Sequence, residues 1–289
     1  MANNSTAAPK KQNQFLVVLK RLFKRKTAVA GAIILLILTL SAIFAPLIAP
    51  YNYTELNVKE RLQGPSLRHL CGTDEFGRDL LSRLLMGGRY SLRVGISVVA
   101  FSLVFGVILG SLSGYFGGWV DNLIMRFLDI VHAIPGMLLA IMLSALLGNG
   151  FGNTILALSV GSINGYARTL RASIMRVRKA EYIEAAATIK ASNARIIMSH
   201  VLPNSIAPLI VQCTMGCANG ILSAASLSYI GLGIQPPEAE WGAMLSGARS
   251  YIRDYPHMGI FPGILIALVV LSFNLIGDAL RDALDPKLK

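Results

Sequence analysis

Apolar runs separated by short polar stretches set the pattern of this chain. The first run covers about 28–49, and five more follow at about 91–114, 122–147, 153–168, 206–232 and 259–280. All but 153–168 approach the ~20 residues that an α-helix needs to cross a hydrocarbon core. The 153–168 run is short and contains Asn164. The pattern predicts an all-α membrane protein of six transmembrane helices.

Between the fourth and fifth runs lies a polar, basic stretch, 169–205. Its section EYIEAAATIK (181–190) is built of strong helix formers. Ser192 or Asn193 can N-cap a second helix reaching about Val201, which Pro203 and Asn204 are expected to end. The prediction is a helix, a turn and a helix on one face of the membrane. Ala185, Ala186 and Ala187 would let a partner approach the backbone closely, with Glu184 as an orienting charge. A rigid helix held by a moving partner can pass a rigid-body rotation into a bundle.

Charge fixes the orientation. Residues 1–28 hold seven Lys/Arg and no acid, which places the N-terminus in the cytoplasm. Within it, Phe15, Leu16, Leu19, Leu22 and Phe23 alternate with Lys and Arg at helical spacing, which suits an anionic lipid surface or an orientation signal. The first run is read as an uncleaved anchor rather than a leader. The stretch 50–90 then falls outside and 169–205 inside, where seven Lys/Arg lie from Arg168 to Arg195. Both termini are cytoplasmic. The division is a basic segment 1–27, a first span 28–49, an outer loop 50–90, a five-helix domain 91–280 containing the 169–205 loop, and a tail 281–289.

Composition agrees: 289 residues, 54% apolar and 15% charged, with mean hydropathy +0.57. The net charge of +12 gathers beside the apolar runs, so it is read as topology control and not as a nucleic-acid surface. Cys213 and Cys217, one turn apart, lack nearby partners for a metal site and are read as packing residues. Pro135 is expected to kink the third span. Gly106, Gly110 and Gly114 form a small-residue face for helix packing. Arg126 and Asp129, at i,i+3, are read as a structural ion pair near the membrane surface.

No phosphate-cradling glycine loop with its lysine occurs, nor any metalloprotease or serine-hydrolase motif. An intramembrane enzyme therefore has almost no residue support. An ion-coupled secondary transporter would be expected to show repeats and buried ionisable groups. Here the mid-membrane polar residues are neutral: Asn164, Gln212, Asn219 and Asn274 are candidates to line a pathway. A neutral pathway stores no energy, so the energy source is expected outside the chain, gripping 169–205.

At these residues the chain resembles the inner-membrane permeases of ATP-binding-cassette importers. Glu184-Ala185-Ala186 with Leu202-Pro203 is similar to their cytoplasmic loop signature, although Lys190 stands where that family usually has Gly. The resemblance narrows to the C-type permease of dipeptide, oligopeptide and nickel importers. It is carried by Gly72-Thr73-Asp74, Gly77-Arg78-Asp79 and Leu81-Ser82-Arg83; by Met125-Arg126, Asp129, Ala133 and Pro135; by Gly231 to Gly242; and by Phe273-Asn274 to Pro286. It implies a type I importer fold in the bacterial inner membrane and a chain with no catalytic site. It implies as partners a second, different permease, two ATPase subunits that use ATP and magnesium, and an extracytoplasmic binding protein. The ATPase-coupling residues would be Glu181, Glu184, Ala185, Ala186, Ala187, Lys190, Ala191 and Ser192. The outer segments 51–90 and 233–258 would meet the binding protein and the second permease. Peptides are the expected cargo, with nickel, a metal–chelator complex or glutathione as alternatives on the same architecture.

Overall fold

The computed structural model describes residues 21–188 and 191–284. Their regular structure is helical, apart from one antiparallel bridge between Thr73 and Asp79. Residues 1–20, Ile189, Lys190 and 285–289 lie outside the described residues, and with them most of the basic N-terminal segment and of the tail.

Helix α1 (Lys26–Ile43) packs lengthwise on the last helix, α9 (His257–Leu284). At Gly31 a Cβ would lie only 3.0 Å from the carbonyl oxygen of Ser272. Helix α2 (Leu80–Phe116) has 37 residues, or about 55 Å at the helical rise, and begins well before residue 91. Asp79 explains the early start. Its Oδ2 accepts from the Ser82 amide at 2.8 Å and from the Ser82 hydroxyl at 2.7 Å, capping the helix.

The segment leading into α2 is held by buried charge. Asp74 Oδ2 lies 2.6 Å from Arg78 Nε and 3.4 Å from Arg83 Nε, while its Oδ1 accepts from the amides of Phe76 and Arg78. His69 Nδ1 sits 2.9 Å from Asp79 Oδ1. The motif residues from Thr73 to Arg83 are thus one structural unit that turns the outer loop into α2.

Gly117 and Gly118, with φ of 64° and 52°, turn the chain out of α2 into α3 (Gly118–His132). Pro135 then breaks the third run as expected, but far more sharply than a kink. Helix α4 (Gly136–Leu147) leaves α3 at 81°. Helix α5 (Phe151–Val177) starts where the fourth run starts and continues well past 168. Its polar end is kept helical by acids on α3: Arg168 pairs with Asp129, and Arg171 with Asp121.

This corrects the expected Arg126–Asp129 pair. Arg126 is exposed, and Asp129 is taken by Arg168 from the neighbouring helix. The i,i+3 spacing allowed a local pair, but α3 turns its acids toward α5.

Helix α6 (Glu181–Thr188) follows, and after it the segment 193–205. Ser192 caps that segment by accepting from the Arg195 amide at 3.4 Å. Pro203 does not end it, contrary to expectation: the chain stays helical through Ser205. The preceding π-helical turn, Ile197–Val201, re-phases the ladder so that Leu202 N–H bonds Ile197 O, and the proline enters without breaking the rod.

Helix α7 (Ala207–Tyr229) packs on α2, α5 and α9. The short helix α8 (Trp241–Ala248) was not expected from the sequence. Trp241 is buried against Gly87 and Gly88 of α2 and donates from Nε1 to the Leu84 carbonyl at 2.9 Å. A Cβ at Gly87 would lie 2.0 Å from the Ala239 oxygen, so this approach requires glycine. The face Gly106, Gly110 and Gly114 packs α2 on α5, against Tyr166, Ala167, Leu170 and Ile174.

Glu240 caps α8, accepting from the Ala243 amide at 2.8 Å and bonding the Ser91 hydroxyl at 3.2 Å, with 1% of its surface exposed. Burial lifts its carboxyl above the ordinary carboxylate range, against the opposing pull of the Gly242 and Ala243 amides. A raised folded-state value means that the protonated form fits the fold. The stabilisation is complete below the unfolded value of about 4.3 and is lost as pH rises through the folded one. Glu240→Gln is therefore expected to gain in melting temperature over the wild type as pH rises above the unfolded value of about 4.3. Glu240→Ala should lose about 2 kcal/mol with its cap and buried partners. Thermal melts of the detergent-solubilised protein across that range check both.

Candidate coupling surface and cavity

Helix α6 has two faces. Ile183 and Ala186 are buried, 5% and 8% exposed, in one cluster with Tyr166, Leu170 and Ile174 of α5, Ile196 and Val201 of the following segment, and Leu209 of α7. Glu181, Tyr182, Glu184 and Ala185 are exposed, Tyr182 to 48%. Ala191 is half-buried on the same cluster, its amide 3.3 Å from the Ala186 carbonyl, and Ser192 is exposed at its capping position. Ala187 is within α6, while Lys190 lies outside the described residues.

The structure thus redistributes the expected coupling residues. Ala186 faces the chain's own bundle, since the seat for α6 is made by residues three apart on the helix. It cannot offer a small surface to a partner. Glu181, Glu184 and Ala185 can, and Tyr182 joins them. Sequence reasoning passed over Tyr182 because an aromatic beside Ile183 reads as core; only the helical phase, with Ile183 and Ala186 inward, turns it outward.

Beside this seat a cavity of about 750 Å³ opens among α2, α5, α7 and the end of α9. Val98, Val99 and Ser102 of α2 line it, with Gln212 and Asn219 of α7 and Arg281 of α9. Two of the four candidate pathway residues, Gln212 and Asn219, are therefore in its wall, and Gln212 Oε1 is buried there with no partner. The other two are elsewhere. Asn164 is buried and accepts from Arg168 Nε at 2.9 Å, and Asn274 is exposed on α9. Among the described lining residues there is no Asp or Glu. Cys213 and Cys217, on α7, pack against the cluster that seats α6.

The family model described as "binding-protein-dependent transport system inner membrane component" matches residues 106–289. The chain belongs to that family. It is an inner-membrane component of an ATP-binding-cassette importer, a system that includes ATPase and substrate-binding partners. Residues 13–65 match a second model, the N-terminal transmembrane domain of oligopeptide transport permease C.

Among curated relatives, the dipeptide transport system permease protein DppC of Alkalihalophilus pseudofirmus is 48% identical, over 93% of this chain and 89% of that one. The di/tripeptide permease protein DppC of Pseudomonas aeruginosa is 45% identical, over 91% and 89%. The glutathione transport system permease protein GsiD of Pectobacterium atrosepticum is 44% identical, over 93% and 90%. Among solved structures, a chain of the MetNI methionine ABC transporter, in its inward-facing form, aligns with a TM-score of 0.56 at 18% identity. It covers 70% of this chain and 97% of that one, a likeness of fold.

Proposed function

We propose that this chain is one permease half of an ATP-driven peptide importer. It pairs with a second, different permease and receives dipeptides or oligopeptides from an extracytoplasmic binding protein. The complex includes two ATPase subunits, which use the ATP and magnesium, and one of them docks on α6 of this chain. The chain itself carries neither cofactor nor catalytic group.

The observation that carries this reading is the divided face of α6. A helix seated on its own bundle by Ile183 and Ala186 presents Glu181, Tyr182, Glu184 and Ala185 outward, beside a cavity whose wall carries Gln212 and Asn219. Such a helix can deliver a partner's motion to the wall of a pathway, provided that ATP and the loaded binding protein bind one state of the complex more tightly than the other. Ala187, Lys190, Ala191 and Ser192 complete the coupling surface, with Lys190 altering the interface where relatives of this type usually carry Gly. Six crossings with both termini in the cytoplasm fit the placement of basic residues. Among the described residues four helices, α1, α2, α7 and α9, are long and apolar enough to cross, and the bent pair α3–α4 makes a fifth if it is one span. Helix α5, 27 residues long, is the sixth, its polar end supported by α3.

The identity of the relatives favours peptide cargo, and the 44% identity to a glutathione permease keeps glutathione, itself a small peptide, as the second reading. The described lining of the cavity carries one imidazole, that of His132, and no Cys, Asp or Glu, so it does not by itself supply a ligand set for bare nickel. A thermal-shift screen of the cognate binding protein tests the cargo. Stabilisation by dipeptides or oligopeptides is expected, and stabilisation by a metal or its chelate alone would overturn the assignment. Affinity purification of the tagged chain from solubilised membranes tests the assembly: a second permease and an ATPase are expected, and their absence would contradict it.

A further inference from the structure

Both flanks of α6 are tied to a single turn of α2. On the near side Arg178, which caps the end of α5, donates from Nη1 to the carbonyl oxygens of Gly114 at 3.1 Å and Tyr115 at 3.0 Å. On the far side the Tyr115 hydroxyl donates to Asn193 Oδ1 at 3.0 Å, at the start of the segment that follows α6. The same turn is braced sideways, for Ser113 donates to Asp121, which also binds Arg171 of α5. Gly117 leaves room for this knot: a Cβ there would lie 3.0 Å from Arg178 Nη1.

These ties differ in kind from the seat of α6. The Ile183 and Ala186 contacts are apolar and non-directional, so they resist separation but permit sliding. Hydrogen bonds to fixed carbonyl and amide oxygens hold register. The turn they grip belongs to the helix that supplies Val98, Val99 and Ser102 to the cavity wall. Ser102 and Ser113 are about 17 Å apart along that helix at 1.5 Å per residue. No glycine with positive φ or proline interrupts α2 between them, so a displacement applied at the last turn arrives at the wall.

We propose that Tyr115 and Arg178 are positioning residues that convert movement of α6 into movement of α2, and so into a change of the cavity wall. The proposal rests on the reading that an ATPase grips α6. It separates two tasks: the outward face of α6 decides whether the ATPase docks, and the knot decides whether docking does work on the pathway.

The test uses the whole importer in lipid vesicles with its loaded binding protein, comparing wild type, Tyr115→Phe, Arg178→Gln and Arg178→Lys. Two quantities are read: the ATPase recovered with the tagged chain, and the cargo imported per ATP hydrolysed. The expected result is unchanged ATPase recovery with cargo per ATP lowered about fivefold in Tyr115→Phe, the equivalent of one hydrogen bond. Arg178→Gln should fall further, and Arg178→Lys should regain part of the loss. Unchanged cargo per ATP in the assembled Tyr115→Phe and Arg178→Gln complexes would overturn the proposal. So would loss of assembly in both, which would make the ties part of the fold alone. Absence of the ATPase from the wild-type complex would instead remove the reading beneath it, before any variant is compared.

Discussion

Glu184→Lys is expected to leave the chain inserted in the membrane and to lower recovery of ATPase subunits with it by roughly thirtyfold, the usual scale for reversing a charge at the centre of a docked surface. Glu184 is exposed, and its side chain makes no ion pair among the described residues, so the fold loses nothing by the change. Tyr182→Ala should act in the same direction, because an outward aromatic on a short helix is the kind of anchor that binding surfaces use. Ala186 makes the contrast. A bulky residue there would push into the buried cluster that Ala186 shares with α5 and α7 and unseat α6 from its own bundle. Its loss of ATPase would come with a lowered melting temperature, which Glu184→Lys should not show. Normal ATPase recovery with Glu184→Lys and Tyr182→Ala would remove α6 as the docking element.

The second large effect is on the fold. Gly110→Leu is expected to cost about 3 kcal/mol or more and to leave little monodisperse protein after detergent extraction. A Cβ at position 110 would lie 2.6 Å from the Ala167 carbonyl oxygen and 3.1 Å from its Cα, and backbone on both sides cannot yield. The α2–α5 contact that holds the seat of α6 would open. Gly263→Ala is the matched control, since nothing lies within 4 Å of the Cβ it would add. It should be neutral or slightly stabilising, as alanine is the better helix former. Size-exclusion profiles and thermal melts of the two variants decide; a well-behaved Gly110→Leu protein would contradict the packing.

Much of this architecture was legible because a membrane span leaves a long apolar run, and a run is a local property. The starts of α5, α7 and α9 fall within two residues of the positions those runs indicate. What escaped the sequence is what depends on distant partners. Helix α8 has eight residues, too few for a periodic signal, and Trp241 finds its place against Leu84 and Gly87 some 150 positions away. The end of α5 reads as loop because Arg168 and Arg171 are charged, yet Asp129 and Asp121 neutralise them from α3. The same long-range pairing displaced the local Arg126–Asp129 match.

The coupling region divides along similar lines. Its helical character, its boundaries at Glu181 and Ser192 and the charge of Glu184 follow from residue type alone. That Ala186 turns inward and Ala185 outward does not, since identical side chains carry no facing signal. Ile183 supplies it: three residues before Ala186, it fixes the buried face and sends Tyr182 outward. Pro203 misled in the opposite sense, because a proline ends a helix only where the ladder ahead of it keeps its α spacing. The π turn at Ile197–Val201 relaxes that condition.

The central claim is that this bundle is driven from outside, through α6. Its most direct test is cargo uptake into vesicles containing the complete purified importer and its binding protein. Uptake should require ATP inside the compartment that faces α6, persist when the proton gradient is collapsed, and fail when the ATPase is withheld. Uptake that follows a proton gradient without ATP, from a complex containing no ATPase, would contradict the account.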